Sequence, residues 1–195
     1  MQSTKERTQP GQVSRLPPLP DPPTDPLLLE LQEDTRSRGG DVINLHLTLG
    51  HAPKIAKARR GLSGALRRDA VTPRVLRELV IMRTAQIVRS DYELNQHIPM
   101  ALKVGLSQQQ LDEVANWRDS ELFDERQRAV LAYIEQLLAG GDVDDATFAA
   151  FANHFTPEEI IEISVLATNY YGTGLLTRAL KIQVETDGRH TAHSL

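Results

Sequence analysis

The sequence predicts an all-α fold. Three helix-start signals recur, in each of which a Ser, Asp or Thr precedes a Gln or Glu by three residues, so that each side chain can accept from the other's backbone amide. They are Ser107 with Gln110, Asp124 with Gln127, and Thr156 with Glu159. No segment alternates apolar and polar residues as a half-buried strand does, and no repeat of solenoid length is present. The chain is therefore expected to form a bundle of helices.

The length of 195 residues suits one ordinary domain with a loose tail. Residues 1–26 hold seven of the eleven prolines and few residues that could build a core, so we expect a flexible or extended N-terminal arm there. This arm is either disordered or wraps a neighbouring subunit. Residues 27–187 are predicted to form a single all-α domain, and residues 188–195 a polar tail.

Helix signals dominate from Asp25 onward. Thr72-Pro73 combines an N-cap residue with a proline suited to the first turn, and the Gly140-Gly141 pair supplies a stop. Together with the capping signals, these features predict helices over 27–36, 42–49, 53–68, 73–88, 108–116, 125–139, 145–154 and 157–185.

Composition excludes several classes of function. A formal net charge of -4 gives no basic footprint for nucleic acid. The longest apolar region, near 160–182, is interrupted by Glu162, Asn169 and Arg178, which a lipid-facing span would tolerate only at a high free-energy cost. Without cysteine, the chain has no disulfide, thiolate metal site or cysteine nucleophile, and it fits a reducing compartment. We expect a cytoplasmic protein that binds neither nucleic acid nor membrane.

The stretch SDYELNQH, residues 90–97, has two interpretations. Ser90 and Glu93 have capping-box spacing, which explains both as the start of a helix. His97 lies one turn after Glu93 on the same helix face, where the two side chains can pair. The alternative is that this Glu-x-x-x-His arrangement is part of an active site.

Two neighbouring features favour a site. Residues 75–88 are apolar nearly all round, which predicts a helix buried on most faces, yet Glu78 and Arg83 lie inside this run. Buried charges need partners or a task, so these two residues either form an ion pair that fixes packing or belong to a functional pocket. Pro99 removes an amide donor two residues after His97, and we expect the helix to kink or restart there.

A resemblance to a known family supports the active-site interpretation. The segment RELVIMRTAQIVRSDYELNQHIPMALKVGLS resembles the signature region of the carboxymuconolactone decarboxylase and alkylhydroperoxidase D superfamily, and the similarity extends over roughly 40–185. Glu78 and His97 match the glutamate and histidine of that signature, whereas Ser90 and Glu93 stand where its peroxidase branch has two cysteines. The resemblance implies an alkylhydroperoxidase D-like helical bundle that assembles as a trimer or hexamer.

The same resemblance implies the chemistry to expect. A thiol peroxidase needs attacking and resolving cysteines, and this chain has none. Acid-base chemistry without a cofactor remains, namely decarboxylation or isomerisation of a small carboxylated lactone or oxoacid. In this hypothesis His97 carries the proton, and Glu93 orients the His97 ring or acts as a second acid-base group. Glu78 donates a proton, and Arg83 anchors Glu78 or binds a substrate carboxylate.

Alternatives stay open at this stage. Glu78, Glu93 and His97 could instead hold a metal ion, although no second histidine has ligand spacing, and we expect no metal. A non-catalytic homo-oligomer that binds a small molecule or serves as a scaffold is the other alternative.

Further residues complete the predicted site. Ser90, Tyr170 and Tyr171 are candidate substrate-binding residues, and the glycines that follow the tyrosines predict close helix packing. The arginine pairs at 59–60 and 67–68 either collect an anionic substrate or form a solvated or inter-subunit charged face.

Overall fold

The computed structural model describes residues 13–185 and confirms the all-α prediction, with nine α-helices and no strand in that part of the chain. The helices are α1 (Pro26–Ser37), α2 (Asn44–Leu49), α3 (Pro53–Gly64), α4 (Arg74–Ile87), α5 (Asp91–Lys103), α6 (Gln108–Glu113), α7 (Glu125–Gly140), α8 (Asp145–Ala152) and α9 (Pro157–Leu180). A π-helical turn, Ala65–Asp69, extends α3, and a 3-10 turn, Val114–Asn116, extends α6.

Local capping chemistry sets most of the helix ends. All three predicted capping boxes form, at the starts of α6, α7 and α9. Gly141 ends α7 in the left-handed conformation with φ 82°, which glycine adopts without steric cost. The predicted cap at Thr72 is wrong by one residue. Pro73 is the N-cap of α4, because the Thr72 amide and hydroxyl both donate to the Glu162 carboxylate of α9 instead.

Helix α4 is the centre of the domain. It packs against α5, α7 and α9, and its side chains Leu79 and Val80 have no solvent exposure. The core continues through Ile134 of α7 and Ile163 of α9, which are also fully buried. Burial of apolar surface on this scale is the main stabilising contribution to such a fold. Helix α5 therefore lies with one face against α4, which fixes where its polar residues can point.

Helix α5 runs through Pro99 without interruption, so the expected kink or restart does not appear as a break between two helices. The helix that was predicted over 157–185 ends earlier, at Leu180, because Lys181 adopts a left-handed backbone with φ 52°. After this turn the chain is extended, and Glu185 accepts hydrogen bonds from Tyr92 and Gln96 of α5.

Residues 13–25 form an extended segment that lies on the helical body. The Arg15 amide donates to the carbonyl of Leu180 at 2.8 Å, and the Leu19 amide to the carbonyl of Leu47 at 3.3 Å. The rest of the predicted arm, residues 1–12, and the predicted polar tail lie outside the described residues. Within 13–185, no helix combines the length and apolar character needed to cross a membrane.

Candidate active site

A cavity of about 240 Å³ opens between α2, α3, α5 and α9, with α1 and part of the N-terminal segment at its edge. Glu93 and His97 reach its wall from α5, and Tyr170 reaches it from α9. Helix α5 presents Glu93 and His97 together because residues four apart lie on one face of a helix. Glu93 and His97 therefore lie on the same wall of the cavity.

His97 is held from behind by Glu78. Its Nδ1 lies 2.8 Å from Glu78 Oε2, and the other carboxylate oxygen of Glu78 accepts from the Arg74 guanidinium at 2.6 Å. Glu78 is fully buried and does not line the cavity. Burial alone would raise the Glu78 pKa, but His97 and Arg74 together hold it below its usual value. Glu78 therefore stays ionised and orients the imidazole, with the proton of a neutral ring on Nδ1 and the lone pair on Nε2.

Glu93 lies on the other side of the imidazole. Its Oε2 is 3.8 Å from His97 Nε2, beyond hydrogen-bond distance, and its Oε1 is buried without a hydrogen-bond partner. Burial raises the pKa of Glu93, while His97 and Arg59 partly oppose the shift. A carboxyl group in such surroundings favours the protonated form, which can donate a proton. The 3.8 Å separation is wide enough for a substrate atom or a water molecule to bridge the two groups.

The capping box predicted at Ser90 and Glu93 forms only in half. The Ser90 hydroxyl accepts from the Glu93 amide at 3.3 Å, as the spacing predicts. The reciprocal bond is absent among the described residues, because the Ser90 amide donates to the carbonyl of Ala85 instead. The Glu93 carboxyl group is therefore not used at the helix start and lies at the cavity.

Tyr170 closes the site beside the imidazole. Its ring meets the His97 ring edge to face, with centroids 5.0 Å apart and planes at 86°. Burial, followed by the charge of Glu78, raises the Tyr170 pKa, so this phenol remains neutral and can only donate or accept a hydrogen bond. Of the two tyrosines predicted at the site, only Tyr170 is at the cavity, since Tyr171 is not part of its wall.

Arginines dominate the charge of the cavity wall. Among residues 13–185, six arginines and two acidic residues line it. Arg59 donates to the Thr173 hydroxyl of α9, which holds its guanidinium across the cavity from its own helix α3. The sequence left open whether the pairs at 59–60 and 67–68 face solvent or a ligand. The structure places all four at the cavity.

His46 of α2 also lines the cavity, and the sequence analysis assigned it no role. Burial lowers its pKa to about 4, with further lowering by the charges of Arg60 and Arg67. The ring is therefore neutral near pH 7, and its Nδ1 is buried without a hydrogen-bond partner. No local sequence signal marks this histidine, because its surroundings come from α3 and the π-helical turn.

Besides Glu78 and Tyr171, the predicted site residues Arg83 and Ser90 also lie away from the cavity wall. Arg83 is not at the cavity and does not pair with Glu78; it forms an ion pair with Glu135 of α7 at 2.6 Å. The anchoring role predicted for Arg83 is therefore wrong, and Arg74 takes it. Ser90 is fully buried, and its hydroxyl contacts the Thr177 hydroxyl at 3.1 Å rather than the cavity.

Within residues 13–185, no group of three or more His, Asp or Glu side chains is arranged to hold a metal ion.

Comparison with known families agrees with this geometry. The model of the carboxymuconolactone decarboxylase family matches residues 53–136, which include Glu78, Glu93 and His97. The central part of the chain is therefore similar to this family, and the chain contains no cysteine. No curated protein matches the chain.

Solved structures show the same fold. A peroxidase-related protein from Ralstonia eutropha JMP134, with an alkylhydroperoxidase AhpD core, is 22% identical with a TM-score of 0.75, covering 90% of this chain and 94% of its own. A peroxidase-related protein from Silicibacter sp. TM1040 is 19% identical with a TM-score of 0.74, covering 89% and 94%. A cysteine-to-alanine variant of the debrominase Bmp8, in complex with 2,3,4-tribromopyrrole, is 21% identical with a TM-score of 0.73, covering 88% and 91%.

Proposed function

We propose that this protein is an enzyme that performs cofactor-free proton transfer on a small carboxylated lactone or oxoacid, by decarboxylation or isomerisation. One observation carries the proposal. His97 Nε2 and the Glu93 carboxyl group face one cavity 3.8 Å apart, and buried Glu78 fixes the imidazole from behind. A histidine and a carboxyl group that face one cavity are suited to removing a proton at one atom and delivering it at another.

The roles follow from the protonation states. Glu78 accepts a hydrogen bond from the Nδ1–H group of His97. The lone pair on Nε2 is therefore the base. Burial raises the pKa of Glu93, which suits this carboxyl group to the role of the acid. In an isomerisation, His97 removes a proton beside the carbonyl, the electrons move into an enolate, and Glu93 protonates the distal carbon. In a decarboxylation, the bond between the substrate carbon and its carboxylate breaks. Carbon dioxide leaves, and the electron pair of that bond stays on the substrate as an enolate. Glu93 then protonates the enolate carbon.

The cavity wall supports an anionic substrate. A carboxylate that leaves water for this cavity would meet an excess of arginine side chains. Arg59 is close enough to lower the pKa of Glu93, so a substrate carboxylate bound to Arg59 would lie near the acid-base pair. Such a group can form two parallel hydrogen bonds with a guanidinium, which fixes its orientation.

Sulfur chemistry is not a competing proposal. The comparison proteins include peroxidase-related members and a debrominase whose variant replaces a cysteine. This chain has no cysteine, so it cannot form the cysteine sulfenic acid or the disulfide that a thiol peroxidase requires. The shared fold therefore supports a common scaffold, and the residues at the cavity support different chemistry.

The proposal can be tested with a panel of carboxylated γ-lactones and 3-oxoacids, in which the carbonyl group can accept the electron pair as an enolate. In deuterated buffer, NMR would record deuterium incorporation for proton transfer, and carbon dioxide release would report decarboxylation. We expect His97→Gln and Glu93→Gln each to lower the rate of deuterium incorporation or carbon dioxide release by about 100- to 10,000-fold.

Matched controls use the same substitutions on exposed residues, His154→Gln and Glu121→Gln, which should keep the wild-type rate. A rate in His97→Gln equal to that of the wild type would refute the proposal. Tight binding of a panel member by wild-type protein without deuterium exchange or carbon dioxide release would instead support the non-catalytic, small-molecule-binding alternative.

A further inference from the structure

The proposed reaction creates one negative charge for which no side chain has yet been named. When His97 removes a proton beside a carbonyl, or when carbon dioxide leaves, charge develops on the carbonyl oxygen as the enolate forms. His97 and Glu93 move protons to and from carbon, so neither of them is available to this oxygen. A hydrogen-bond donor that is fixed where such charge develops contributes strongly to a reaction rate. The cavity wall should therefore contain a donor for the enolate oxygen.

The Tyr170 hydroxyl has a hydrogen that the described part of the chain does not use. It forms no hydrogen bond there, and it is not one of the buried polar atoms that lack a partner, so it opens onto the cavity that Tyr170 lines. Two other hydroxyls at the wall are already engaged. The Tyr92 hydroxyl donates to Glu185 at 3.0 Å. The Thr173 hydroxyl donates to the carbonyl of Asn169 at 2.7 Å.

Packing places this hydroxyl group beside the base. The Tyr170 ring contacts the His97 ring edge to face, with centroids 5.0 Å apart. A carbonyl oxygen lies only two bonds from the carbon that loses its proton, so a substrate carbon at His97 brings this oxygen into the space beside Tyr170. Tyr170 has only 9% of its surface exposed, so its ring is held in place before a substrate binds. Such preorganisation makes a donor effective during the reaction.

The surroundings of Tyr170 keep its phenol a donor rather than an acid. Burial raises the pKa of Tyr170, and the charge of Glu78 raises it further. The charge of Glu93 acts in the same direction, while Arg67 and Arg74 partly oppose the shift. The phenol therefore keeps its proton near pH 7 and can donate a hydrogen bond without transferring the proton. The number of protons moved in the proposed reaction does not change.

We propose, on the basis of the proposed function, that Tyr170 is a catalytic residue whose hydroxyl donates a hydrogen bond to the carbonyl oxygen on which the enolate charge develops. This bond becomes stronger as the negative charge on the oxygen grows. It therefore stabilises the transition state more than the bound substrate, and its effect is on kcat. Arg59 remains to bind the substrate carboxylate, so different side chains recognise the carboxylate and stabilise the enolate.

Tyr170→Phe tests this role, because it removes the hydroxyl and keeps a ring against His97. For a carboxylated lactone or 3-oxoacid that the wild type turns over, we expect kcat to fall by about 100-fold or more, with little change in KM. The matched control Tyr171→Phe removes a neighbouring hydroxyl outside the cavity wall and should keep both constants. An unchanged kcat in Tyr170→Phe, or a change confined to KM, would overturn the proposal.

A binding measurement decides the same question without turnover. The probe is the nitronate of 3-nitropropionate, which has a carboxylate and a second negative charge on oxygen, as the enolate of a 3-oxoacid does. Calorimetry at mildly alkaline pH, where the nitronate persists, should give a dissociation constant about tenfold or more higher for Tyr170→Phe than for the wild type and Tyr171→Phe. Butyrate, which has the carboxylate alone, should bind all three proteins equally.

The two measurements separate this role from the proposed function. If the wild type turns over no member of the substrate panel, the proposed function fails, and nitronate binding still decides whether Tyr170 stabilises an oxyanion. Absence of nitronate binding by the wild type, or equal nitronate binding by Tyr170→Phe and the wild type, would overturn the role proposed for Tyr170.

Discussion

The same substitution at two buried carboxyl groups of the candidate site should have different effects on stability. Glu78→Gln and Glu93→Gln each replace one buried carboxyl group by an amide of the same shape. Glu78 has a partner on each oxygen, the Arg74 guanidinium on one and the His97 imidazole on the other. Glu93 has one oxygen without any hydrogen-bond partner. The first substitution therefore breaks a buried charge network, and the second removes a poorly solvated acid.

The magnitudes follow from these surroundings. Removing one partner of a buried ion pair costs about 3–5 kcal/mol. Arg74 keeps 19% of its side-chain surface exposed, so we expect Glu78→Gln to lower the unfolding free energy near pH 7 by about 2–3 kcal/mol. A buried polar atom without a partner is unfavourable by about 1–3 kcal/mol. Because glutamine is polar too, Glu93→Gln should leave stability unchanged or raise it by up to about 1 kcal/mol.

The pH dependence should also differ in sign. The Glu78 pKa is lowered in the folded protein, so its stabilising effect is present above the unfolded value of about 4.5 and is lost as pH falls through the folded pKa. The Glu93 pKa is raised, so its contribution is present below about 4.5 and is lost as pH rises through the folded pKa. The wild type should thus lose stability through Glu78 as pH falls into the acid range, and Glu78→Gln should lack this loss. It should lose stability through Glu93 as pH rises above about 4.5, and Glu93→Gln should lack that loss.

Urea unfolding followed by circular dichroism, near pH 7 and near pH 4, measures both effects. The wild type and the control Glu121→Gln provide the reference. If Glu93→Gln destabilised the protein near pH 7 as strongly as Glu78→Gln, the reasoning about the unpartnered carboxyl group would be refuted. A loss below about 1 kcal/mol for Glu78→Gln would refute the buried-network argument.

Three further predictions follow from single contacts. A Cβ at Gly174 would lie 2.3 Å from Val88 Cγ1, so Gly174→Ala should lower the unfolding free energy by about 1–3 kcal/mol in urea titrations, whereas the control Gly140→Ala, with open space, should not. His46 is neutral in the folded protein near pH 7, with a pKa of about 4. In urea titrations, the unfolding free energy of the wild type should fall by up to about 3 kcal/mol between pH of about 6.5 and about 4, and that of His46→Leu should fall less. Arg59→Gln should raise KM for an active carboxylate about tenfold or more, a change that steady-state kinetics would detect and an unchanged KM would contradict.

The parts of the fold that could be predicted were those fixed by short-range chemistry. The helix predicted over 125–139 is observed as Glu125–Gly140, because its cap residues and its glycine stop act within a few residues. The last predicted helix was too long at its C-terminal end. Nothing local shows that Lys181 would leave the helix, and the extended chain beyond it is held by Tyr92 and Gln96, about ninety residues earlier.

The sequence could predict the site residues that share one face of helix α5, but not the contacts that other helices bring to the site. Glu93 and His97 meet because four residues complete about one turn. The expected link between Glu78 and Arg83 failed for the same geometric reason, since five residues along a helix place side chains about 140° apart. The cationic wall depends on how α3 lies against α9, as the contact of Arg59 with Thr173 shows, and no periodicity within one segment reports that arrangement.

The turn between α4 and α5 explains why Glu93 is available for chemistry. Arg89 adopts a left-handed conformation with φ 55°, and the Ser90 amide donates to the carbonyl of Ala85 at 2.9 Å. This is the pattern that ends a helix through a left-handed residue, so Ser90 serves as the end of α4 and the N-cap of α5 at once. Because its amide is already satisfied, the second half of a capping box would add nothing. The Glu93 carboxyl group can then lie at the cavity beside His97 without leaving the helix start unpaired.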